Sequence, residues 1–268
     1  MTEQEIKQLQ ERLEQMFPEE YERSKQPFFW HEGRQTLVVK PEALAEAIRY
    51  AEAHGIDDLE LSGEGIDLAP LAGTNCVHAL GLTGSFCNVE ALYGLPLTHL
   101  HIDNTGNKSS IDLSRFCSLE RLSLTKPKRN ISGLAQCGSL RELCLYNYAP
   151  MERDLSQLRE LRHLRRLDLV HPRIDSLRGI GELPVLEKLI VAYSKTLRSL
   201  DALPAGLKHL EIDHCPGIET FVPVGSLCGL EMLFIRACKT MDTRSFFGDL
   251  KHLKHAFISK GTVILDEC

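Results

Sequence analysis

Aliphatic positions recur along this chain in one spelling, LxxLxL, with Ile, Val or Ala replacing Leu in places. The first positions of its copies are Ile56, Val77, Leu97, Leu119, Leu140, Leu164, Leu186, Leu207, Leu230 and Leu253, spaced by 20 to 24 residues. LERLSL, LRELCL, LRRLDL, LEKLIV and LKHLEI are typical copies; the last, LKHAFI, has Ala256 at its second anchor. Alternation within each copy predicts a short strand. Its anchors turn inward and its third, fifth and seventh residues face the other way. Between strands, apolar residues fall every third position, as in Ile131, Leu134, Cys137 and Leu140, or Ile174, Leu177, Ile180 and Leu183. With Gly and Ser interspersed, that spacing predicts 3₁₀ turns, since about 22 residues leave little room for a full helix. No single copy can bury its apolar face, but a stack of copies can.

The ends follow other patterns. Ile6, Leu9, Leu13 and Met16 form one stripe and predict a helix over residues 3–16, ended by Pro18. PFFWHEGRQTLVV, from Pro27 to Val39, reads as a strand pair or extended arm. Pro41 then opens a second helix through about His54, with Leu44, Ala47, Ile48 and Ala51 as its buried face and Gly55 as its stop. Residues 1–55 are expected to cap the open end of the stack, and residues 56–268 to form the repeat array; the functional alternative makes residues 1–30 a docking helix. Around Lys260-Gly261 the sequence suggests a closing hairpin.

The repeat resembles that of the leucine-rich repeat family over about residues 56–260. The resemblance implies an α/β solenoid: a curved horseshoe with a concave parallel β-sheet, convex turns and 3₁₀ pieces, and a helical N-terminal cap. It is nearest in period to the short-repeat bacterial and phosphatase-regulator subclasses. The family places Asn or Cys at the ninth repeat position, where its side chain satisfies turn backbone groups. Here that column reads Ser85, Thr105, Pro127, Tyr148, Pro172, Ser194, Cys215 and Cys238, so only the last two match. The exposed columns mix His, Arg, Asp, Tyr and Phe, as a non-catalytic protein-binding scaffold would; the family includes inhibitors, so the resemblance implies by analogy an inhibitor of immunity type, and a bacterial effector is the second form.

Composition narrows the partner. The 268 residues carry 31 basic and 37 acidic side chains, a net charge of −6, which argues against nucleic acid bound over a broad surface and against a polybasic membrane contact. No apolar run reaches the roughly 20 residues of a spanning helix. The polar start lacks the charge and apolar pattern of a secretory signal. Nine scattered cysteines, with no CxxC pair, fit reduced thiols in a cytoplasm better than disulfides or a zinc site. Cys76, Cys117 and Cys228, each just before a strand, read as packed core.

The expected contacts are Tyr146, Arg166, Asp168, Tyr193, Glu211, Asp213, Phe234 and Arg236, because aromatic and charged types cluster in these repeats and such residues anchor interfaces. The plain alternative is an ordinary solvated face. A rival of another class is a hydrolase using Cys144 with His171, or a metal on His99, His101 and Asp103. HLHID is similar to the start of the metallo-β-lactamase ligand motif, but Asn104 stands where its next His belongs. His209, Glu211, Asp213 and His214 form a second such group, about 24 Å away at about 4.8 Å per strand, too far to share an ion. P-loop, GxGxxG and GxSxG spellings do not occur. No cofactor, metal site or catalytic residue is expected.

Overall fold

Every copy of LxxLxL becomes a strand that begins at its third position. The computed structural model of the protein describes residues 26–31, 35–128, 130–238 and 247–259; the helix expected over 3–16 and the hairpin expected at Lys260-Gly261 lie outside them. The chain divides into two compact units between Pro96 and Leu97.

In the first unit, β1 (Phe28–His31) pairs antiparallel with β2 (Thr36–Val39), which gives the strand pair expected from residues 27 to 39. A 3₁₀ turn at Pro41–Ala43 leads into α1 (Leu44–His54). Its buried residues are Leu44, Ala47, Ile48 and Ala51. Gly55 stops it in the left-handed conformation at φ 66° and returns its N–H to Ala51 O, because only glycine adopts that region without a Cβ penalty. β3 (Asp58–Asp67) and β4 (Ala79–Cys87) follow parallel to β2, with a register shift between Gly63 and Ile66.

The second unit is a run of repeats. β5 (His99–Asp103), β7 (Arg121–Thr125), β9 (Glu142–Tyr146), β10 (Arg166–Val170), β11 (Lys188–Ala192), β12 (His209–Asp213), β13 (Met232–Arg236) and β14 (His255–Ile258) pair in parallel in that order. β6 (Ile111–Asp112) and β8 (Ile131–Ser132) form a separate two-stranded parallel pair. Leu122, Leu143, Leu167, Leu189, Leu210 and Leu233 stand opposite one another in one interior row, each at most 2% exposed. Leu124, Leu145, Leu169, Val191, Ile212 and Ile235 make the second row. Burying side chains of this size contributes about 1.5–3 kcal/mol each. Ala256 closes the first row and is only partly buried.

The connections bear out the threefold spacing. Short 3₁₀ turns occur at Ala69–Leu71, Val89–Gly94, Leu113–Arg115, Leu134–Gln136, Ser156–Leu158 and Val222–Ser226. Ile174, Leu177, Ile180 and Leu183 are buried without forming one. At Gly179, φ is 106° and an added Cβ would collide with the Leu155 backbone, so the close stacking of two turns requires glycine there. Cys117 and Cys228 are exposed rather than packed as expected. They sit in the turn two residues ahead of Leu119 and Leu230, where only the anchor itself points inward; Cys76 is half-buried.

The departure from the family's ninth-position Asn is resolved one residue earlier. Lys126, Asn147, His171, Tyr193, His214 and Ala237 occupy the eighth position of successive repeats, all in the left-handed region at φ 48–58°. For a residue with a Cβ that conformation costs about 1–2 kcal/mol. The backbone N–H recovers a bond: Asn147 to Val170 O, His171 to Ala192 O and Tyr193 to Asp213 O are each 2.8 Å. The ninth residue then closes the turn in different ways. Cys215 and Cys238 Sγ donate to Asp213 O and Arg236 O, both at 3.3 Å. Ser194 Oγ donates to Pro172 O and accepts from Leu197 N. Tyr148 fills the space with its ring. In the repeat of β5, the fully buried Asn104 at position eight bonds to Asn130, and Asn107 bonds back to Asn104.

Candidate functional site

Seven of the eight expected contact residues lie on β9, β10, β12 and β13, and Tyr193 occupies the turn after β11. Strand register sets their neighbours. The fifth-position row runs Cys144, Asp168, Ile190, Glu211, Phe234, Phe257, and the seventh-position row runs Tyr146, Val170, Ala192, Asp213, Arg236.

Within this face the charges are tied down. Arg166 grips Asp168 from two residues away, with Nε 3.1 and 3.0 Å from the two carboxylate oxygens and Nη2 at 2.6 Å. Arg236 Nη2 donates to Glu211 Oε1 and lies 3.2 Å from Asp213 Oδ2. The other Asp213 oxygen, Oδ1, meets His214 Nδ1 at 2.8 Å. The Asp213 side chain is only 9% exposed, whereas that of Arg236 is 44% exposed. Asp213 therefore organises Arg236 and His214 rather than meeting solvent itself. Ala192 is likewise buried, so the seventh row is recessed at its middle.

His209 sits at the third position of its repeat, the first residue of β12. Its Nε2 is buried with no hydrogen-bond partner among the described residues and lies 4.0 Å from Glu211 Oε2, beyond bonding range. Burial and the neighbouring Lys188 push its pKa below the ordinary value, so the ring is neutral near pH 7 and the Glu211 contact is not an ion pair. The Phe234 ring packs against it at 5.6 Å.

The strand-exit edge carries a feature that the sequence reading missed. His171, Tyr193 and His214, the eighth residues of three consecutive repeats, stack: centroids are 5.0 Å apart for His171–Tyr193 and 4.7 Å for Tyr193–His214, with planes inclined by 28° and 20°. The left-handed turns aim these rings outward in register, about one strand spacing apart. All three are exposed. Reading the eighth column as a column, VH, AY and DH after each strand, would have found them.

The rival chemistry gains nothing from the geometry. Burial pushes the Cys144 thiol above its ordinary value, the reverse of what an activated nucleophile needs. His171 is engaged in the ring stack. Asp103 directs one carboxylate oxygen to Thr105 N at 2.9 Å and to the Thr105 hydroxyl, and His99 Nδ1 meets Thr98 Oγ1. Among the described residues no three His, Cys, Asp or Glu side chains converge as a metal site would require.

No family model matches the chain, and no curated protein matches it by sequence. Solved structures do match it in fold. A leucine-rich repeat protein of Leptospira interrogans is 17% identical with a TM-score of 0.53, covering 84% of this chain and 65% of that one. The TLR13–ssRNA13 complex gives 17% and 0.58, over 82% of this chain and 40% of that one. The mouse RP105/MD-1 complex gives 17% and 0.52, over 82% and 44%. The chain thus spans under half the length of the latter two. The protein has the leucine-rich repeat fold. No helix of the described residues is long and apolar enough to cross a membrane.

Proposed function

We propose that this protein is a non-catalytic scaffold that binds a protein partner through the exposed strand face of β9–β13 and the ring stack beside it. The observation that carries the reading is the state of the side chains on that face. Arg166 and Arg236 are held by neighbouring carboxylates while their side chains stay 42% and 44% exposed. Tyr146 and Tyr193 are exposed at 37% and 42%. Side chains already fixed lose less freedom on association, which leaves more of the contact energy as affinity. Five strands at about 4.8 Å, each with five residues at about 3.3 Å, give about 400 Å² in projection, about half of the ~800 Å² per partner of a specific interface, and the ring stack adds to it.

A protein suits this face better than a nucleic acid. Among solved structures of this fold one is a complex with MD-1 and one with ssRNA, but the chain here carries a net charge of −6 and its face alternates cations with carboxylates. Within this reading, the protein is an inhibitor of immunity type or a bacterial effector, residues 1–55 cap the array, and the site of action is a cytoplasm. The eight described cysteines are all unpaired, which supports a reducing compartment.

Affinity purification from the native cell with mass spectrometry identifies the partner. Binding is then measured with Asp168→Lys and Glu211→Lys, singly and together. The proposal expects the double reversal to abolish binding with little change in the urea midpoint. Unchanged affinity in the double variant discards this face.

A further inference from the structure

The strand-entry edge of the second unit carries its own order. The second residue of each repeat passes its N–H to the carbonyl of the second residue before it: Arg141 to Glu120 O at 2.8 Å, Arg165 to Arg141 O at 2.8 Å, Glu187 to Arg165 O at 2.9 Å, Lys208 to Glu187 O at 2.9 Å, Glu231 to Lys208 O at 2.9 Å and Lys254 to Glu231 O at 2.8 Å. Side chains on this backbone ladder therefore face their neighbours. Their charges alternate and pair: Lys208 Nζ reaches Glu187 at 2.8 Å and Lys254 Nζ reaches Glu231 at 2.7 Å. The alternation breaks once, where Arg165 follows Arg141 on adjacent rungs. Like charges directly opposite in a sheet are unfavourable.

At that break the surface opens into a cavity of about 470 Å³, lined by Glu120, Gly138, Arg141, Arg162, His163, Arg165 and Val185 among others. Arg141 is held only loosely, 3.8 Å from Glu120, and Arg162 lies 4.0 Å from Glu160. Arg165 makes no side-chain hydrogen bond among the described residues and feels Glu187 only through space. Val185 is 40% exposed and offers an apolar wall.

We propose that this cavity receives a carboxylate side chain of a protein partner, held between the guanidinium groups of Arg141 and Arg165. Two planar forks on adjacent rungs suit a carboxylate held from both sides, and an anion between them converts the single unfavourable step of the ladder into a favourable one. Glu120, Glu160 and Glu187 border the cationic cluster. They limit its attraction to one anionic group and repel a continuous phosphate chain. Val185 would meet the methylene stem of a glutamate. The inference is independent of the strand-face reading, and either stands if the other fails.

The test uses the full chain and short fluorescein-labelled peptides with a central pair of glutamates flanked by leucines, read by fluorescence anisotropy. Matched peptides carry glutamine or phosphoserine instead. The glutamate peptide is expected to bind more tightly than the glutamine peptide. Arg165→Gln and Arg141→Gln should each weaken it about tenfold or more, the scale of one charge-assisted hydrogen bond. Lys254→Gln, on the same edge four rungs beyond Arg165 and paired with Glu231, should leave affinity unchanged. The proposal is overturned if Arg165→Gln binds as the wild type does, if Lys254→Gln loses as much, if glutamate and glutamine peptides are equivalent, or if only the phosphoserine peptide binds. Urea midpoints of the three variants confirm that each is folded.

Discussion

The ring of Tyr193 lies 4.7 Å from that of His214 and inclined by only 20° to it, although the two residues are 21 apart in sequence. The strand period places them, and a left-handed turn at each aims the ring outward. Tyr193 pays for this with φ of 58°, an unfavourable conformation for a bulky residue. Two substitutions separate the terms. Tyr193→Ala removes the stacked ring and keeps the backbone strain; Tyr193→Gly removes both. Urea unfolding should find the Gly variant more stable than the Ala variant by about 1 kcal/mol, while both bind the partner more weakly. Equal stability of the two variants would show that the turn carries no strain.

The interior row makes the next prediction. Leu167 is fully buried between Leu143 and Leu189. Leu167→Ala should cost about 2–5 kcal/mol in chemical unfolding. A substitution at exposed Met151, such as Met151→Ala, should change stability by less than about 0.5 kcal/mol.

Thiol chemistry supplies a third test. Burial pushes the Cys137 and Cys215 thiols up to about 12, while Cys87, Cys117 and Cys228 are exposed. Alkylation of the native protein near pH 8 should label the exposed three, and mass spectrometry should find Cys137 and Cys215 unmodified until the chain is unfolded.

The same shift sets an alkaline limit. A thiol with a raised folded pKa keeps its proton in the native state while the unfolded chain releases it above about 9. Its stabilising effect is complete below that pH and is lost as pH climbs towards about 12. Tyr148, raised by burial from 10.0 to about 12, acts in the same direction. Unfolding free energy should fall between pH 9 and 12, and Cys215→Ala should flatten the decline. A slope unchanged by that substitution would remove Cys215 from the explanation.

Much of the fold was legible because the anchors do one thing. A leucine at the first, fourth and sixth positions has a single low-energy place, the shared core, so spacing alone located each strand start. The turns were not legible from the family's expected Asn. Six residues of five types at position eight adopt one backbone conformation, and the bond that supports it is made by backbone N–H groups that no sequence column displays. The contact face was read in part: alternation placed Arg166, Asp168, Glu211 and Arg236 on one surface, but side-chain pairing does not follow from alternation. Asp213 shows the limit, since its column predicts exposure and its ties to Arg236 and His214 accompany burial. The ring stack was not legible, because His171 and His214 read locally as a base and a metal ligand, and only their shared eighth position across repeats brings them together.

Hydroxyl-radical footprinting of the captured partner complex, compared with the free protein, tests the binding face most directly. Oxidation of Tyr146, Tyr193 and Phe234 should drop on complex formation, while Met151 and Tyr50, exposed outside that face, should be modified as before. Protection of Met151 or Tyr50 with Tyr146, Tyr193 and Phe234 unchanged would contradict the assignment of β9–β13 as the surface that grips the partner.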